Sequence, residues 1–190
     1  MRLEHRKVSA DAIATLVKRL DALTRRYLVT EGNDPDDRKV YQLYPPASAK
    51  AIAGYEKTLG RELPPSYRHF LRQHNGWLGF WGDHMLLGVP APYNARRHAY
   101  VRRELRASNG YLDDGDEGPD YFRSEEVIPI ACDLNGGLVA FDMSRVDGRG
   151  EPQVIDCQRT NGCVDNRHAS FVELLEVRIR CARGWIAGAR

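Results

Sequence analysis

Apolar positions fall into two regimes along this chain. In the first third they recur at helical spacing, and in the later part they come in short unbroken runs. Ile13, Leu16, Val17, Leu20 and Leu23 draw one stripe, which predicts a helix over 9–27 with Ser9 as its cap and Asp11 in its first turn. The polar stretch 31–37, EGNDPDD, is a turn or loop. "YQLYPP" (41–46) is short, and its prolines restrict it to an edge strand or an extended loop. Ile52, Tyr55 and Leu59 predict a second helix over about 48–59.

The connection that follows is dense in stop and start signals. Gly60 suits a left-handed C-cap, and Leu63 anchors the link. Pro64 keeps the helix from running on, while Pro65 suits the first turn of the next helix. Tyr67, Phe70, Leu71 and His74 share the face of that helix, and Asn75-Gly76 is its stop. The result is a helical hairpin whose apolar stripes must cover a sheet. "HMLLGV" (84–89), "VIPIACD" (127–133), "GLVAFDM" (137–143) and "PQVIDCQ" (152–158) supply strands, with Asn135-Gly136 turning the middle pair. A helix over 94–107 takes Asn94 as its cap and turns Ala95, Ala99 and Leu105 inward. A last helix over 170–182 opens on the capping box of Ser170 and Glu173. The class is α+β, with a mostly antiparallel sheet covered by helices.

Composition sharpens this picture only a little. The 190 residues are 42% hydrophobic and 28% charged, which is ordinary for a globular protein with one main domain. A formal net charge of +2 is too mild to argue for nucleic acid. The N-terminus lacks the apolar core of a secretory signal, and no apolar run is long enough to span a membrane. These features predict a soluble cytoplasmic protein. Cys132, Cys157, Cys163 and Cys181 fit neither a disulfide framework nor a zinc pattern, so they are expected to be reduced thiols.

One segment resembles a known family. "IAGYEKTLGRELPPSYRHFLRQHNGW" (52–77) is similar to the N-terminal signature of the SUKH superfamily. It supplies Glu56, Leu59-Gly60, Leu63-Pro64, Tyr67, Phe70-Leu71 and Asn75-Gly76 in the family's order. "VIPIACDLNGGLVAFDMS" resembles the family's strand pair, and "SFVELLE" its closing helix. The resemblance implies a SUKH-like domain over 41–190, with a helical extension over 1–40 and a charged insertion over 94–126. It also implies a binding module rather than an enzyme. Bacterial relatives are mostly immunity proteins that neutralise a toxin, often a nuclease, whereas eukaryotic relatives are regulators or scaffolds.

The insertion inverts its charge partway along. Arg96, Arg97, Arg102, Arg103 and Arg106 come first; Asp113, Asp114, Asp116, Glu117, Asp120, Glu125 and Glu126 follow. This is a solvated helix face and a polar loop, a docking surface whose acidic half mimics phosphate before a basic toxin cleft, or two runs that pair with each other. "NGWLGFWGDH" places Trp77, Phe80 and Trp81 among glycines, either as core cover in a loop or as exposed anchors for a partner. "DDGDEGPD" fails the calcium-loop spacing, and the glycines fit no phosphate-binding pattern. His69 and His74 are five apart, not four, so they do not pair as helix ligands. Cys157 or Cys163 with His168 makes a weak nucleophile–base pair by sequence proximity alone. The expected partner-binding residues are therefore Asp113, Asp114, Asp116, Glu117, Asp120, Trp77, Phe80 and Trp81, with no cofactor, no metal, no membrane and no direct nucleic-acid contact.

Overall fold

The computed structural model describes residues 8–108, 120–133, 135–157 and 163–189. Its elements run α1 (Ala10–Thr30), β1 (Gln42–Leu43), α2 (Ala49–Leu59), α3 (Pro65–Leu71), β2 (Gly76–Trp81), β3 (His84–Leu87), α4 (Ala95–Ser108), β4 (Val127–Cys132), β5 (Leu138–Val146), β6 (Pro152–Cys157), β7 (Asn166–His168) and α5 (Phe171–Gly188). The strands form one antiparallel sheet in chain order, β1 to β7. This is an α+β fold of the expected kind.

Both faces of the sheet are covered, which explains its unbroken apolar runs. Along β5, Val139 and Phe141 point to one face while Leu138 and Ala140 point to the other. The first face meets α1, α3 and α5 in a core built around Phe70, Trp77, Phe141 and Phe171. The second face meets α4 through Val101 and Leu105. Ile13, Val17 and Leu20 of α1 belong to the first core, and Tyr41 donates a hydrogen bond to Asp21 that ties α1 to the sheet's edge.

The α2–α3 hairpin follows its sequence signals closely. Ser48 accepts from the Ala51 amide at 3.1 Å, and Gly60 adopts φ +68° as the C-cap. Pro65 opens α3, and Leu63 is buried beneath the link. Glu56 is what sets the link's shape. Its Oε1 accepts from the Leu63 amide at 2.9 Å and from the Arg68 guanidinium. The acidic position of the family signature is thus a structural clasp here.

Four expectations need correction. α3 ends at Leu71, so Asn75-Gly76 starts a strand instead of stopping a helix. The Trp77–Trp81 segment is that strand, β2, not a loop. α4 turns His98, Val101 and Leu105 inward, while Ala95 and Ala99 face solvent. Asn94 is buried, and its side chain serves the preceding turn. It accepts from the Ala91 amide at 2.7 Å and donates to the Val89 carbonyl at 3.1 Å.

His98 gives α4 a pH dependence. It sits beside Tyr55, and its Nε2–H donates to the Gly88 carbonyl at 3.0 Å. Burial lowers its pKa; the Gly88 hydrogen bond opposes this, and nearby Arg102 adds to it. Burial likewise lowers His74, His84 and His168. The unfolded chain therefore binds more protons than the folded one as pH falls through about 6.5. Stability present above that pH is lost below it. The urea midpoint should fall between about pH 7.5 and about pH 5.5. The fall should be shallower in His98→Gln, which keeps a donor for Gly88 but does not titrate.

Candidate functional site

Asp113, Asp114, Asp116 and Glu117 lie outside the described residues. Asp120 is exposed, and its carbonyl accepts from the Val164 amide at 2.8 Å. The aromatic segment divides. Trp77 and Phe80 are fully buried and pack on one another with ring centroids 5.5 Å apart. They are core residues, which corrects their reading as anchors. Trp81 is only partly buried, so it alone of the three reaches the surface.

Trp81 belongs to an aromatic and cationic stack. Arg178 of α5 lies 4.4 Å from its ring centroid, and Trp185 stacks on it at 4.2 Å. Trp185 in turn meets Tyr27 of α1 at 5.0 Å and is 41% exposed. The sequence offers no periodic signal for this, because Trp81 and Trp185 are brought together only when α5 docks on the sheet. α5 runs past the expected end at 182 to Gly188, which is what presents Trp185.

Beneath that stack, one end of the sheet holds a polar cavity of about 450 Å³. Trp81 closes β2, His84 opens β3, Asp133 follows β4 and Gly137 precedes β5. Asp156 and Cys157 end β6, Asn166 opens β7, and Arg178 descends from α5. Antiparallel order explains the gathering: alternate strands begin and end at the same edge. Arg178 is only 7% exposed and donates to the Asp156 carboxylate, so two charges that burial would penalise are paired. Asp133 accepts from the Asn135 and Gly137 amides at 2.7 and 2.8 Å.

Burial lowers the His84 pKa, opposed by Asp133 and Asp156, so the imidazole is neutral near pH 7. Burial also pushes the Cys157 thiol up to about 12. It stays protonated and is not an activated nucleophile. The cavity presents charged and hydrogen-bonding groups. Among the described residues, no group of histidines, cysteines and carboxylates is placed to hold a metal ion.

The basic half of the insertion forms the outer face of α4. Arg96, Arg102 and Arg106 are exposed there, while Arg103 pairs with Glu104 at 2.8 Å. Arg97 is held inward and donates to the Cys132 carbonyl at 2.9 Å. No described helix is long and apolar enough to cross a membrane.

The chain is thus a helix-covered antiparallel meander with a polar cavity and an aromatic rim at one end of its sheet. Residues 46–177 match the SMI1 / KNR4 family (SUKH-1), and the chain belongs to that family. The match covers most of the chain, from the residue before Ala47 to the first turns of α5. α1 and the last part of α5 lie outside it. No curated protein is similar enough to the chain to match it.

Proposed function

We propose that this protein is an immunity protein that neutralises a cognate bacterial toxin by stoichiometric binding. Family membership over residues 46–177 is the observation that carries the reading. It acts without catalysis, in the cytoplasm, on a toxin of a polymorphic system such as a nuclease. The acidic run of Asp113, Asp114, Asp116, Glu117 and Asp120 would face a basic surface on the toxin, with Trp81 and Trp185 as aromatic contacts. Complementary charge would speed encounter and select the partner. The first experiment is co-expression of the tagged chain with the products of its flanking genes. Capture of a toxin domain and rescue of growth are expected. Capture of a housekeeping partner alone, with no rescue, would replace this reading with that of a regulatory scaffold. Reversing Asp113, Asp114 and Asp116 to lysine should weaken capture about tenfold or more, as expected for loss of charge steering and contact.

A further inference from the structure

The cavity at the sheet's end contains two acceptors that receive no donor among the described residues. Asp133 spends Oδ1 on the Asn135 and Gly137 amides. Its Oδ2 accepts no hydrogen bond from a described residue. Nδ1 of His84 lies 3.1 Å from the Trp81 carbonyl. A carbonyl only accepts, so Nδ1 carries the proton and Nε2 keeps its lone pair. Oδ2 and Nε2 converge over Gly137. A Cβ at that position would lie 2.6 Å from Asp133 Oδ2 and 3.0 Å from His84 Nε2. The two acceptors therefore lie side by side against the Gly137 backbone, where any side chain would collide with both.

The charges select what belongs there. Asp156 is matched by Arg178. Asp133 forms no ion pair among the described residues. Arg97 is nearby, but it donates to the carbonyls of Cys132 and Asp83 at 2.9 and 3.5 Å. The lining is thus one negative charge in excess, with two acceptors beside it. A carboxylate would be repelled there, and an apolar group would strip water from both acceptors without replacing it. A cation with several N–H donors answers both demands through charge-assisted hydrogen bonds.

We infer that this cavity is a socket for one basic side chain, an arginine or lysine, presented by the protein partner. The inference rests on reading the chain as a protein-binding module. Asp133 and His84 receive the cation, Gly137 lets the two acceptors stand close together, and the Trp81–Trp185 stack forms the wall against which the partner's surrounding surface packs. A socket with an aromatic rim and a buried charge contact has the anatomy of a binding hot spot.

The test uses the full chain and small probes. Nα-acetyl-arginine methylamide and its lysine counterpart are titrated while the amide resonances of Asp133 and Gly137 are followed by NMR. The uncharged citrulline analogue is the control. Saturable shifts with at least one cationic probe are expected, with citrulline about tenfold weaker or more, the size of effect a charge-assisted contact gives. Asp133→Asn keeps the acceptor for the turn amides but removes the charge, and should also weaken the probe about tenfold. Gly137→Ala would drive a Cβ into both acceptors and force them apart, and should abolish the shifts. No saturable shift, equal binding of citrulline, or indifference to Asp133→Asn each overturns the socket. A toxin captured equally well by wild type and Asp133→Asn, with no probe binding, removes the socket and leaves the immunity reading standing. Probe binding that follows the charge, with no toxin captured, supports the socket and removes the immunity reading.

Discussion

Gly88→Ala is expected to cost about 3–5 kcal/mol of folding stability, enough to remove much of the margin of a typical domain. A Cβ at residue 88 would lie 2.1 Å from the Asn75 carbonyl oxygen and 2.2 Å from Asn75 Oδ1. Neither atom can give way cheaply. Asn75 Oδ1 accepts from the Val89 amide at 2.7 Å, the Asn75 amide donates to the Pro45 carbonyl at 2.9 Å, and the Tyr93 hydroxyl donates to the Asn75 carbonyl. Asn75 thus joins the chain leaving β1 to the chain leaving β3. Gly76, at φ +114°, continues the close approach, since a Cβ there would lie 2.9 Å from the Leu86 carbonyl. Gly54→Ala is the matching control. It sits on the exposed side of α2 with open space around the new Cβ, and should stabilise by about 0.5–1 kcal/mol through the unfolded chain's entropy. Urea unfolding of the two variants gives opposite displacements of the midpoint. A Gly88→Ala protein within about 1 kcal/mol of wild type would refute the packing argument.

The Asn-Gly pair shows where sequence reasoning stops. Local signals located α1, α2, Gly60 and Pro65 because caps and helical stripes act over a few residues. The same signals read Asn75-Gly76 as a helix stop, and nothing nearby reveals that Asn75 bonds to Val89, fourteen residues on. β2 escaped for a related reason. Its glycines and the irregular register between Trp77 and Trp81 break the alternation that marks a strand. In α4 the inward face, to which the sequence pattern assigns Ala95 and Ala99, carries His98. Only the Gly88 carbonyl, brought in by the sheet, satisfies it there. The cavity was still less legible. Its walls come from seven elements or their flanks, and no two of His84, Asp133, Asp156 and Arg178 stand within twenty residues of each other. A set of that kind is assembled by strand order, which single-residue patterns do not encode.

Glu151→Ala should cost about 3 kcal/mol, because it orphans two buried groups at once. Glu151 is 4% exposed and stands just before β6. Its Oε1 accepts from the Ser66 amide at 2.7 Å and its Oε2 from the Ser66 hydroxyl at 2.6 Å. Ser66 is the second residue of α3, so this amide is one that the helix leaves without an internal partner. The carboxylate therefore fastens α3 to the β5–β6 hairpin from 85 residues away in sequence. Glu151→Gln keeps an oxygen for the amide and can donate to the Ser66 hydroxyl oxygen, so its loss should be nearer 1 kcal/mol. The two variants also separate charge from geometry. Burial raises the Glu151 pKa, the Ser66 bonds pull it back, Asp147 adds to the rise and His69 opposes it. A carboxyl raised on folding takes up its proton more readily folded than unfolded. Its contribution to stability therefore grows as pH falls through the folded pKa toward the ordinary value, opposite to the histidines. The gap between wild type and Glu151→Gln should widen as pH falls toward about 4.5, measured as the difference in urea midpoints at each pH. A gap that narrows over that range would mean that the ionised carboxylate, not the acid, is the form the fold prefers.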